Sequence, residues 1–215
     1  MRRVILGLLA VVLLATALAE LYQAARALIG AAWLAALAVN ATFAVIVVAL
    51  GRPSKREARS PSASKFFLVY GPALFIVVGA AALGLATSGG TARSNVVIPG
   101  ETWAMIAAVP IVEEWLFRVG FGRWYRGACG PWLGAYLGAL TFAMVHSDAT
   151  IGGWLSGRTG IVPGPLLLGI ACELLYRYTG SVTAIILLHG ACNATPTLFA
   201  LTDPRWLDWL GFLYL

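Results

Sequence analysis

Charge is what this chain has least of. Only 11% of its 215 residues are charged and 60% are hydrophobic, with a mean hydropathy of +0.85. A soluble domain carries about 25% charged residues, so a water-soluble globular chain is excluded. Strand-like alternation is absent as well: the apolar runs are about 20 residues long and unbroken, as membrane helices require and barrel strands do not. Lipid offers the backbone no hydrogen bonds, so helices are the remaining spanning structure. Cysteine is scarce. Cys129, Cys172 and Cys192 show no metal or redox spacing, and Cys172 and Cys192 read as small packing residues in apolar runs. No internal repeat or low-complexity tract is present. Histidine occurs twice, as His146 and His189, which makes the surroundings of both informative.

What is present is an all-α, polytopic transmembrane bundle of about seven to eight spans. Spans are expected at about 4–22, 28–50, 66–87, 102–121, 132–149, 163–178 and 181–200. The tail "PRWLDWLGFLYL" is short and rich in tryptophan, suited to the interface or to part of an eighth helix. The start, "MRRVILGLLAVVLLATALA", imitates a signal peptide, but the rest of the chain inserts by itself and a retained first span is expected. One membrane domain, 1–215, is expected.

The net charge of +6 does not indicate nucleic acid, because the basic residues lie in loops beside spans, where the positive-inside rule accounts for them. Arg2 and Arg3 place the N-terminus in the cytoplasm. The linker "GRPSKREARSPSASK", the segment at Arg118, Arg123 and Arg126, and the turn at Arg177 then fall on the same side. Arg26, Arg93, Arg158 and Arg205 fall on the other.

Against this background three polar stretches stand out. The first is "VEEWLFR", residues 112–118. Each such charge at mid-membrane costs roughly 2.5–3.5 kcal/mol. Glu114 and Arg118 are four apart and share a helix face, so they can neutralise each other and lock packing. Glu113 points about 100° away. It is left without that partner and is a candidate general base or acid. The second stretch is "TFAMVHSD", in which Phe142 lies one turn before His146. A lone histidine closing a helix is more often structural or interfacial than catalytic, and its place in a membrane span is what raises a catalytic role. The third is "LLHGACNATP", with His189 and Asn193 on one face. They serve either as interhelical glue or as donors to a developing oxyanion.

The span positions place Glu113 ~16 Å below the outer end of its helix and His189 ~12 Å above the inner end of its own. His146 lies nearer the outer side. An acid, two imidazoles and an amide thus reach overlapping depths and can activate a water. A His–His–Glu metal site is the rival use of the same groups, and it lacks an HExxH-type pairing.

These motifs resemble those of a known family. "EEWLFR" fits EExxxR, "FAMVH" fits FxxxH and "HGACN" fits HxxxN, in that order and in separate spans. Gly169, Tyr176 and "TGS" at 179–181 fit the approach to the last motif. The family is the CPBP family: CAAX prenyl endopeptidases of the Rce type, Abi proteins, and bacterial relatives linked to bacteriocin processing and self-immunity. The resemblance covers about residues 102–197 and leaves 1–100 without a motif. It implies a glutamate-type intramembrane endopeptidase that needs no metal and no other cofactor. In that reading Glu113 and His146 activate water, and His189 and Asn193 form the oxyanion hole. Glu114, Arg118 and Phe142 support them. The partners implied are the lipid bilayer and a membrane-anchored peptide or protein. The place is the cytoplasmic membrane of a bacterium.

Two acids depart from the pattern. Asp148 follows the second motif, either in a water-filled mouth or as a helix end. Glu173 is expected to pair with Arg177 at i+4. Within the family the leading expectation is a peptidase acting on C-terminal sorting tails, cut toward the outer half of the membrane. A non-catalytic peptide-binding or bacteriocin-immunity protein is the alternative. A transporter or proton relay ranks last, because no inverted repeat is found.

Overall fold

A computed structural model describes residues 2–50, 66–87 and 98–202, without the side chains of 48–50, 66 and 202. The basic linker at 51–65, Arg93, Arg205 and the tail at 204–215 lie outside the described residues. The described chain is helical throughout, with no strand among its described residues. In order run α1 (Arg2–Ile29), α2 (Ala32–Leu50), α3 (Phe66–Thr87) and α4 (Gly100–Glu114). A π-helical turn (Trp115–Phe121) follows, then α5 (Gly122–Cys129), α6 (Pro131–Val145), α7 (Ile151–Leu155), α8 (Pro163–Thr179) and α9 (Val182–Thr202).

Several boundaries differ from the sequence reading for local reasons. The first helix runs on past residue 22, through Arg26, because nothing before Gly30 breaks it. The helix expected at 102–121 continues through the π turn into α5 and ends at Gly130. That residue has φ +90°, a conformation open to glycine. Pro131 then starts α6 at a position where a missing N–H costs nothing. The span expected at 132–149 stops at Val145, and the polar loop beyond it folds into the separate short helix α7.

The bundle is apolar outside. Leu28, Phe67 and Phe75 are 88%, 79% and 79% exposed. Inside it buries charge: Glu114 and Arg118 are at 0% and Glu173 at 1%. That inversion belongs to an integral membrane protein, in which lipid takes the place of water. Among the described residues three helical stretches are long and apolar enough to cross a membrane: Arg2–Ile29, Phe67–Thr87 and Val182–Leu201. Ala32–Val47 and Pro131–Val145 are apolar but shorter. The whole of α2, at 19 residues, spans about 28 Å at 1.5 Å per residue, close to the thickness of a bilayer core.

Helix α1 packs on α2 and α6, α3 lies along α9, and α8 bridges α6 and α9. The π turn occupies the middle. Its Leu116, Phe117 and Phe121 join Val11, Leu18, Leu137 and Phe142 in one apolar cluster. Its Val119 joins Cys172, Tyr176, Ile185 and Leu188 in another. Cys172 is fully buried there and Cys192 packs against the same cluster, so both are packing residues, and all three cysteines are free thiols.

Beyond α6 the loop wraps around Asp148. Its carboxylate accepts from the Thr150 hydroxyl at 2.6 Å and from Arg158 Nε at 3.0 Å, and its carbonyl accepts from Thr159. Asp148 is therefore an organiser of the loop. The Thr150 hydroxyl, and after it the Arg158 guanidinium, hold its carboxyl below the usual range. A folded-state value below the unfolded one favours the fold at neutral pH. That contribution disappears as pH falls through the folded value.

Thr150 also caps α7 by accepting from Gly153 N at 2.9 Å. A Cβ on Gly153 would overlap the Asp148 carbonyl oxygen, whereas one on Gly152 meets nothing nearer than 3.9 Å. Gly153→Ala is therefore expected to cost about 1–3 kcal/mol as an overpacked site and to open the loop to protease. Gly152→Ala leaves both unchanged. Limited proteolysis of the two variants side by side checks this, and equal resistance would contradict it.

Candidate active site

The site forms where α4, the π turn, α6 and α9 meet. Pro110 prepares it. Proline has no N–H to give the carbonyl four residues back, so the carbonyl of Ile106 is freed from its helical bond. Helix α9 closes on that carbonyl: a Cβ at Gly190 would stand 2.8 Å from Ile106 O. One turn further along α9, Asn193 Nδ2 donates to Met105 O at 2.9 Å. The side chains of His189 and Asn193 therefore both turn toward α4, as their spacing predicts.

His189 lies between two carboxylates. Its Nδ1 is 2.8 Å from Glu114 Oε1 and its Nε2 is 3.6 Å from Glu113 Oε2. A carboxylate oxygen only accepts, so Nδ1 carries a proton toward Glu114. Glu114 Oε2 in turn stands 3.2 Å from Arg118 Nε. This is an ion pair without the angle of a hydrogen bond. The expected Glu114–Arg118 pair is thus present, fully buried and extended to a histidine. Glu113 is less isolated than its position on the helix suggests: Asn40 on α2 donates to its Oε1 at 3.3 Å. Asn40 was not singled out by sequence. Its signal was there, as the lone amide in the apolar run "AWLAALAVNATFAVIVVAL".

Phe142 ties the motifs together. Its ring stands 5.2 Å from that of Phe117, 4.4 Å from His146 and 5.5 Å, edge-on, from His189. The Arg118 guanidinium carbon lies 4.8 Å above it, within cation–π range. Phe142 is a spacer between the two imidazoles, shielded completely from solvent.

His146 sits where α6 ends. Its backbone N–H bonds to Ala143 O rather than to Phe142 O, and its own ring Nδ1 reaches the vacated carbonyl at 2.7 Å. A carbonyl only accepts, so Nδ1 bears the proton and Nε2 holds the lone pair of the neutral ring. This histidine is exposed, and it opens on a cavity of ≈ 320 Å³. Glu113, Asn40, Tyr22, Gln23 and Trp33 share that cavity. Glu114, His189 and Asn193 do not line it. The structure thus brings Glu113 and His146 to one chamber and places Glu114, Arg118 and His189 behind them.

Glu173 requires a correction. It pairs with Arg126 of α5 rather than with Arg177. Arg126 also donates to Arg118 O at 3.2 Å. Arg177 stacks 3.9 Å over the Trp132 ring and donates to Pro131 O at 3.1 Å. Helix α8 turns Glu173 inward against α5, and an inward acid takes the cation that faces it. Among the described residues no three His, Cys, Asp or Glu side chains are grouped as a metal would need.

No curated protein and no solved structure matches the chain. Residues 95–195 match the model of the type II CAAX prenyl endopeptidase Rce1-like family. That stretch holds all three motifs and both histidines, so the sequence match and the buried constellation coincide: just under half of the chain is similar to the Rce1-like type II CAAX prenyl endopeptidases, a family of intramembrane proteases.

Proposed function

We propose that the chain is a glutamate-dependent intramembrane endopeptidase that removes a membrane-anchored C-terminal sorting tail. The observation that carries this reading is the shared chamber. Glu113 and His146, from different helices, line one cavity, while the neighbouring Glu114 is committed to His189 and Arg118.

The chemistry follows from the donors and acceptors present. Glu113 takes a proton from a water held against the His146 Nε2 lone pair. The resulting hydroxide adds to the scissile carbonyl carbon, and the carbonyl π pair moves onto oxygen. We assign the stabilisation of that oxygen to α9: to His189 as the imidazolium, which keeps Nδ1–H on Glu114 and offers Nε2–H, and to the second amide hydrogen of Asn193. Neither lines the cavity of the free protein, so the bound substrate must part α9 from α4. The tetrahedral intermediate then collapses. Its C–N bond breaks, and Glu113 returns the proton to the departing amine. Glu114 and Arg118 fix the ring of His189, as partners behind a reacting group do. No step calls on a metal.

The position of the cavity supports the substrate class. Its walls include Leu18, Tyr22 and Gln23 late in α1 and Ala32 and Trp33 early in α2, the end of the bundle away from the N-terminus. With Arg2 and Arg3 held in the cytoplasm, the chamber opens toward the outer face of a bacterial cytoplasmic membrane. The packing of α1 and α2 on α6 and the π turn supports reading 1–215 as one membrane domain.

The test is cleavage by purified protein in detergent of two peptides, one with a short motif, a helix and basic residues, the other a prenylated CAAX tail. Cutting of the first alone, undiminished by a strong chelator, is expected. Loss with chelator would make the site metal-dependent and sink the mechanism. Cutting of the prenylated peptide alone would reassign the substrate.

A further inference from the structure

The catalytic reading so far draws every residue from 95–195. Yet a hydrogen-bond donor to Glu113 Oε1 comes from α2, outside that stretch. Ala32, Ala36, Val39 and Asn40 recur at helical spacing and all line the cavity. The first three are small or apolar, and Asn40 is the one polar member of that face. An amide in an apolar span is costly unless bonded, and its bond is to Glu113 at 3.3 Å. The amide must present nitrogen there, because a carboxylate oxygen accepts and does not donate.

We propose that Asn40 is a positioning residue for Glu113, holding one carboxylate oxygen from α2 while His189 faces the other from α9. The proposal rests on Glu113 as the base. The Asn40 bond fixes one carboxylate oxygen, and His189 Nε2, at 3.6 Å too far to hydrogen-bond, bounds the other; a base must be held in place to meet its water. The motif-free half of the chain thereby enters the catalytic machinery. Asn193, the amide within the motif, is engaged with Met105 O and does not line the cavity, so it does not duplicate Asn40.

Two measurements on the full-length protein test this. The first is kinetic. Asn40→Leu keeps the bulk and loses the donor; its kcat should fall roughly 10- to 100-fold, the range for partners behind a reacting group, with KM within about twofold. Asn40→Ala, which does not depend on how leucine packs, should show the same split. Thr42→Ala, which loses only a bond to Ala38 O within α2, is the control and should match wild type. A kcat unchanged in Asn40→Leu, or a loss confined to KM, overturns the proposal.

The second measurement needs no turnover. Asn40→Asp sets a second carboxylate against Glu113 and should lower Tm. Asn40→Asp combined with Glu113→Gln exchanges amide and carboxylate across the same contact, and should recover most of that loss. An amide that merely glues two helices elsewhere gives additive changes in this cycle, and additivity overturns the proposal whatever the activity. If the cycle couples but wild type cleaves neither peptide, the contact stands and the protease reading fails.

Discussion

Glu113→Gln should reduce single-turnover cleavage about 10³-fold or more while leaving peptide capture intact. General-base assistance is worth roughly 10²–10⁴ in rate, and glutamine keeps the shape of glutamate while losing its basicity. The amide oxygen still accepts from Asn40, so α2 and α4 stay joined across the site. Glu113 also carries none of the Arg118 pairing, which belongs to Glu114. Folding should therefore be little disturbed, and Tm should move by only a few degrees. Single-turnover rates and peptide binding, measured on one preparation, separate chemistry from capture. A variant that still cuts within tenfold of wild type would move the base elsewhere. A wild type that binds but never cuts would leave a peptide-binding protein on the same scaffold.

Arg118→Met should have the largest effect on stability. The guanidinium is completely buried, beside a carboxylate that is also completely buried. Removing one partner leaves Glu114 charged in a medium that solvates it poorly, at a cost of about 3–5 kcal/mol. The packing over Phe142 is lost as well. Adding Glu114→Gln to Arg118→Met should recover much of the loss, because the charge left stranded is then gone. Denaturation of the single and the double variant in detergent, beside wild type, reads this directly. A single variant within about 1 kcal/mol of wild type would mean that water or another cation reaches Glu114.

The motifs were legible because short helical spacings survive in three dimensions. Glu114 and Arg118 at i,i+4 do pair, and His189 and Asn193 do share a face. Pro110 frees a carbonyl for want of an N–H, but nothing local to it shows that α9 settles there at Gly190. The misses are long-range. Glu173 had Arg177 within one turn, and local spacing could not show that α8 turns it toward Arg126. Asn40 lies 73 residues from Glu113, so sequence could mark it as an odd amide but not name its partner. His146 looked ordinary because what distinguishes it, a ring bonded to the carbonyl that its own helix end vacates, is a matter of geometry.

The π turn at Trp115–Phe121 has no composition of its own, and its effect is one of winding. A wide turn accommodates a residue more than a regular α-helix would. Deleting one residue within it would let the winding close to a regular α-helix with α5 left near its place, so Arg126 would still face Glu173 and Tyr125 would still face Thr141. A residue added there, where the turn is already wide, would instead rotate α5 about 100° relative to α4 and point Arg126 and Tyr125 at the wrong neighbours, while Glu113 kept its place against α2. The stretch thus carries one residue of slack, and in one direction.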